Sequence, residues 1–159
     1  MITMAIAYLD SPIGLIRIEG AGETVSKIHF VDERTEPEQN VGYLQKAIDQ
    51  LNEYFAGKRS EFELQLFPDG THFQKNVWDE LVKIPFAKTC CYEDIARKLG
   101  DIKVIRAAAT ANGRNPLSIV VPCHRVIGKD GSLTGYSGGL WRKKWLLDFE
   151  QRNIQPKLL

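Results

Sequence analysis

Cysteine is scarce in this chain. There are three in 159 residues, Cys90, Cys91 and Cys123, and none forms a CxxC pair. An odd count at that spacing argues against a disulfide framework and a structural zinc site, and for a reducing, cytoplasmic compartment. Long apolar runs are missing: none approaches the ~20 residues that cross a bilayer, so no membrane role is expected. The opening MITMAIAYLD has no basic n-region and soon meets Asp10, so no signal peptide is expected. Repeats and low-complexity tracts are absent. Net charge is nearly absent at +1, but it is unevenly spread. Residues 1–70 hold 6 Lys/Arg against 12 Asp/Glu, and residues 71–159 hold 15 against 8, giving −6 and +7. Such asymmetry fits a second half that meets a polyanion, and it also fits charge clustered by chance on solvated faces.

The first half reads as strands. AIAYL and GLIRIE flank a Ser11–Gly14 turn, and VSKIHFV follows AGE, which predicts a three-stranded antiparallel meander. Asn40 can cap a helix with Val41, Leu44, Ile48, Leu51 and Phe55 on one face, ended by Gly57. EFELQLF at 61–67 alternates and predicts a further strand. PDG at 68–70 is a turn and a domain boundary, which divides the chain into 1–70 and 71–159. The second half is helical. Thr71–Gln74 forms a capping box before Phe73, Val77, Leu81 and Ile84, and Pro85 stops that helix. Helices near 92–99 and 102–112, with Gly100 and Asp101 between them, fit a helix-turn-helix or an ordinary αα-hairpin, with Ile95, Leu99 and Val104 packed inside. Arg106 followed by Ala107, Ala108, Ala109, Thr110 and Ala111 gives a helix whose backbone can approach another surface closely.

IVVPCHRVIG at 119–128 delivers Cys123 beside His124 and Arg125 at the end of an apolar run. Buried cysteine often serves only as a small hydrophobe, and Cys90 and Cys91 are read that way. Basic neighbours lower a thiol pKa and favour a nucleophilic thiolate. Adjacent residues on an extended chain point apart, so a Cys–His pair here needs a turn or a bridging water. Acyl transfer and attack on an alkyl carbon both suit a thiolate with a histidine. The second yields a thioether that is not readily hydrolysed and consumes the protein.

PCHRV at 122–126 resembles the active-site signature of the O6-alkylguanine-DNA alkyltransferases (methylated-DNA–protein-cysteine methyltransferases). FQKNVWDELVKIP at 73–85, YEDIARKLG at 92–100, IRAAATANGRNP at 105–116 and GYSGGLWRKKWLLDFE at 135–150 resemble that family's C-terminal motifs, in order and at family spacing. SPIG and LNEYFAG fit its N-terminal domain more loosely. The resemblance implies an α/β (α+β) fold: a small antiparallel sheet with a helix, ribonuclease H-like, then a mainly helical domain with a helix-turn-helix. It implies repair of O6-alkylguanine, and of O4-methylthymine, by irreversible transfer to Cys123. His124 would act as base through a water, Glu150 would orient it, Asn115 would brace the turn, and Tyr92 would protonate the departing guanine. Arg106 would fill the space of a flipped base, with Ala107, Ala108 and Arg114 along the minor groove of double-stranded DNA. Val126, Tyr136 and Ser137 would line the base and alkyl pocket, and Lys143 would play a supporting electrostatic role. A monomer without cofactor is implied.

The chain departs from the family pattern in places. Ala87 stands where a glycine is usual, Asn112 where some members carry a larger wedge, and Cys90–Cys91 where small or polar residues are commoner. Residues 1–70 have no cysteine and one histidine, His29, with His72 just past the boundary, so the zinc of some members is not expected. Lesion-binding relatives lack the cysteine that this chain has. A helix-turn-helix regulator and a cysteine hydrolase are the other readings.

Overall fold

The computed structural model describes residues 3–39 and 41–154. It begins with an antiparallel meander of β1 (Ala5–Ser11), β2 (Gly14–Ala21) and β3 (Thr24–Val31). Ser11 pairs with Gly14 across the first turn, and its Oγ donates to the Gly14 carbonyl at 2.6 Å. Gly22 and Glu23 form the second turn at φ +56° and +68°, the doubly left-handed geometry that matches strand twist. Ile16, Ile18 and Ile28 are fully buried. Helix α1 (Gly42–Phe55) packs on the sheet.

Two expectations change here. The buried face of α1 is Leu44, Ala47, Gln50, Leu51 and Tyr54, so the expected stripe through Ile48 and Phe55 is rotated. Val41 precedes the helix as its N-cap, and Asn40 lies outside the described residues. The expected strand at 61–67 is reduced to one bridge, Leu66 with Val25. Its alternation is real, but its inward side chains are only half-buried and Phe67 is 66% exposed.

The chain divides into two compact units, Met1–Gly70 with Pro116–Val120, and Thr71–Asn115 with Val121–Leu159. The single cut after residue 70 therefore needs amending. Pro116–Val120 joins the first unit because β3 captures it: Ile28 N–H donates to Pro116 O at 2.8 Å and Ser118 N–H to Ile28 O at 2.9 Å.

The second unit opens with α2 (His72–Val82), whose Thr71–Gln74 capping box is formed in both directions. Val77, Trp78 and Leu81 are buried, and Trp78 Nε1 donates to Ala111 O at 2.9 Å. The helix stops at Val82, as expected just ahead of Pro85. A short strand β4 (Cys90–Cys91) leads into α3 (Tyr92–Lys98). Gly100 turns at φ +91°, a 3₁₀ turn spans Ile102–Val104 with Asp101 Oδ1 on the Lys103 N–H, and α4 (Ile105–Gly113) follows. Strand β5 (Val126–Ile127) pairs in parallel with β4. Helix α5 (Leu140–Arg152) starts after Gly139 at φ +93°. Its buried face carries Lys143, Leu146, Phe149 and Glu150. Lys143 and Glu150 are seven residues apart, two turns, so one face presents both charges inward. No helix among the described residues is long and apolar enough to cross a membrane.

Candidate active site

Pro122 sets the local geometry. At φ −81° and ψ 62° it centres an inverse γ-turn, with Cys123 N–H donating to Val121 O at 2.8 Å. Cys123–Arg125 then wind into a 3₁₀ turn. Three residues per turn splay three consecutive side chains in three directions, which replaces the strand-like alternation expected from sequence. All three are buried, His124 completely.

Glu150 on α5 gathers this turn. Its Oε2 accepts from His124 Nε2 at 2.7 Å and from Arg125 Nη2 at 3.0 Å. Its Oε1 accepts from Arg125 Nε at 2.8 Å and from the Ala87 N–H at 3.1 Å. Burial opposes ionisation of this carboxyl, but the hydrogen bonds from His124 and Arg125 and the Arg125 charge prevail and hold its pKa far below the usual range. An ionised carboxylate only accepts, so His124 Nε2 carries the hydrogen and Nδ1 is the basic nitrogen. Nδ1 is buried and has no hydrogen-bond partner among the described residues. Burial lowers the His124 pKa despite Glu150, and the Arg125 and Lys143 charges add to that. The imidazole is therefore neutral near pH 7.

Cys123 differs from its sequence reading. Burial raises its pKa, and a hydrogen bond from Asn115 and the Lys143 charge only partly offset this. Arg125 does not act as the thiol's cation, because its guanidinium is spent on Glu150 and on Ile84 O, at 2.7 Å from Nη1. The resting group is a thiol, and a base is needed to make it a nucleophile. Asn115 Nδ2 also donates to Val121 O at 2.7 Å, which braces the approach to Cys123. Asn112 is buried, with its amide 3.5 Å from Cys123 O. It is an interior residue and not an exposed wedge.

Tyr92 is half-buried at the start of α3. Its hydroxyl lies 3.0 Å from Thr134 Oγ1, and Lys143 Nζ donates to Thr134 O at 2.7 Å. Tyr136 is buried, Ser137 exposed and Gly138 buried, in the loop that ends at α5. The Val126 side chain is fully buried and its N–H donates to Cys123 O. Cys90 is half-buried, with burial pushing its thiol up to about 11, in keeping with an inert packing role.

On α4, Arg106, Ala107, Thr110 and Gly113 are exposed, as is Arg114, which caps its C-terminus. Ala108 is only 1% exposed, so its expected place on the outer surface is corrected. The 100° helical step turns it inward with Ala111 and Asn112, and Thr110 takes the outer position. Arg106 and Arg114 form no ion pair among the described residues.

Sequence reasoning missed Arg125 as the second partner of Glu150, and it missed Thr134 and the bond from the Ala87 N–H to Glu150. Ala87 sits at φ +65°, its N–H on Glu150 and its carbonyl accepting from Gln151 Nε2 at 2.6 Å. The only sequence signal was that glycine is usual there. Left-handed alanine costs about 1–2 kcal/mol, against which glycine gains unfolded-state entropy. Ala87→Gly is accordingly expected to stabilise the protein by about 0.5–1 kcal/mol in urea unfolding, with the transfer rate unchanged. A loss of stability would show that the turn is not strained. No group of three or more metal-binding side chains occurs among the described residues.

A buried thiol, a neutral imidazole with one unpaired basic nitrogen, and a carboxylate fixing its tautomer make a nucleophile that is generated on demand. Residues 72–152 match the 6-O-methylguanine DNA methyltransferase DNA-binding domain, and residues 4–68 match the ribonuclease-like domain of the same methyltransferase. A methylated-DNA–protein-cysteine methyltransferase of Mycobacterium tuberculosis is 43% identical over 155 residues, 94% of each chain. One from Methanosarcina barkeri is 41% identical over 153 residues, 92% of this chain and 97% of the relative. A crystal structure of the Mycobacterium tuberculosis O6-methylguanine methyltransferase superposes with a TM-score of 0.88 at 40% identity, covering 98% of this chain and 97% of that one. The same organism's protein in complex with DNA gives 0.85 at 43% identity over 92% of both chains. The chain belongs to the 6-O-methylguanine DNA methyltransferase family.

Proposed function

We propose that this protein repairs O6-alkylguanine in double-stranded DNA by moving the alkyl group onto Cys123, once per molecule. The observation that carries the reading is the buried His124 held through Nε2 by Glu150, with Nδ1 left basic in the turn that presents Cys123. His124 Nδ1 takes the thiol proton through a water. The thiolate attacks the alkyl carbon in line, an S–C bond forms and the C–O6 bond breaks. Tyr92 gives its phenolic proton to the departing guanine and recovers one from solvent, to which His124 releases its own. The net change moves the thiol proton to guanine and leaves a thioether. O4-methylthymine offers the same leaving-group chemistry.

Such an attack needs the base out of the stack, since the alkyl carbon is out of reach within it. Helices α3 and α4 serve as a helix-turn-helix, with the small outer face of α4 against the minor groove and Arg106 entering the space of the flipped base. Arg106 and Arg114 lie eight residues apart, about 12 Å along the helix. The unit acts as a monomer in a reducing cytoplasm. Arg106→Ala is expected to slow repair in duplex by about 10–100-fold, the worth of a few kcal/mol of unstacking, and to leave attack on free O6-benzylguanine unchanged. Equal losses on both substrates would remove the flipping role. Binding should also weaken as salt rises, and Arg114→Ala should reduce that slope by about 1.

A further inference from the structure

We infer that Thr134 is a positioning residue for the transfer step, acting through Tyr92. One residue here holds two others. Thr134 Oγ1 lies 3.0 Å from the Tyr92 phenol oxygen, and the Thr134 carbonyl accepts from Lys143 Nζ at 2.7 Å. Tyr92 opens α3 and Lys143 lies on the buried face of α5, so Thr134 joins the two helices. The Lys143 side chain is fully buried, and its ammonium is 6.0 Å from the Tyr92 ring centroid. A cation at that distance favours added electron density on the ring.

The inference rests on the proposed role of Tyr92 as proton donor to the departing guanine. A phenol that gives up its proton builds negative charge on oxygen. A hydroxyl donating into that oxygen offsets the charge, and bonds in such a chain strengthen one another. The Thr134 hydroxyl is placed to donate to Tyr92 while the Tyr92 hydrogen turns to the base. The competing bond from Tyr92 to the Thr134 carbonyl is long, at 3.4 Å, and gives the phenol little reason to keep its hydrogen there. The Thr134 hydrogen stays on its own oxygen throughout, so no further acid or base is needed.

Thr134→Val deletes the hydroxyl and keeps the carbonyl that binds Lys143, whereas Thr134→Ser keeps both. Single-turnover rates on O6-methylguanine duplex, read by intact mass, test the idea. Thr134→Val should lower the rate at saturating duplex about 3–10-fold, the worth of one hydrogen bond, and leave the half-saturating concentration in place. Thr134→Ser should restore the rate. In the Tyr92→Phe background Thr134→Val should cause no further loss. A parental rate in Thr134→Val would overturn the inference, as would the same loss in the Tyr92→Phe background, which marks a merely structural effect. A parental rate in Tyr92→Phe itself would instead sink the proposed role of Tyr92, and the inference with it.

Discussion

Cys123→Ala is expected to abolish alkyl transfer and to leave binding to alkylated duplex intact. The loss should be complete because neither other cysteine can replace Cys123. Cys90 is protonated well above neutrality, and Cys90 and Cys91 lie in β4, outside the turn that Glu150 and His124 organise. Binding should survive because Arg106, Ala107, Thr110 and Arg114 lie on the exposed side of α4. The substitution removes only one buried sulfur and leaves the backbone turn at Pro122 in place. Fluorescence titration with methylated duplex, beside an intact-mass assay for transfer, checks both halves. Residual transfer to Cys90 or Cys91 would contradict the assignment of the nucleophile.

Glu150→Gln should produce the second large effect, on both rate and stability. The amide cannot neutralise Arg125, whose guanidinium is only 5% exposed as a residue and has few other partners. Stranding one member of a buried pair costs about 3–5 kcal/mol. The amide also no longer forces the hydrogen onto His124 Nε2, so the basic nitrogen is no longer assured. Loss of that general base should slow transfer by about 100-fold or more. The acid response adds a separate signature. Both His124 and Glu150 have folded pKa values below their ordinary 6.5 and 4.5, so on acidification the unfolded chain takes up protons first. Stability should fall as pH drops below about 6.5 through His124, and further below about 4.5 through Glu150. In Glu150→Gln the second segment should become shallower, with the remainder coming from Glu36, Asp94 and Asp130, whose pKa values are also lowered. Urea unfolding from pH 8 to pH 3 reads this, and an unchanged slope below pH 4.5 would show that Glu150 is not the stabilising carboxylate.

The parts of this protein legible in its sequence are those set by neighbours along the chain. Thr71 and Gln74 announce the start of α2, Pro85 its end, and Gly22 a tight hairpin. The adjacency of Cys123 and His124 marks the proposed reactive segment directly. The parts that were not legible depend on distant contacts. Arg125 and Glu150 are 25 residues apart, and nothing in the local pattern assigns the guanidinium to the carboxylate instead of the thiol. That pairing, with burial, is why the Cys123 pKa rises where its basic neighbours suggested a fall. Ile119 is a β-branched residue at φ +73° and only 1% exposed. It centres a γ-turn closed by Val120 N–H on Ser118 O at 2.8 Å, a strained geometry that packing must enforce. Ala108 shows the limit of composition: a run of alanines reveals a close-approach helix but not which alanine faces outward.

The most direct measurement is an intact-mass spectrum after mixing the protein with excess O6-methylguanine duplex DNA, followed by peptide mapping. One added methyl group on Cys123, saturating at one per molecule however long the incubation, is the predicted result. An unmodified mass with the DNA still bound, or a methyl on any other residue, would contradict the account.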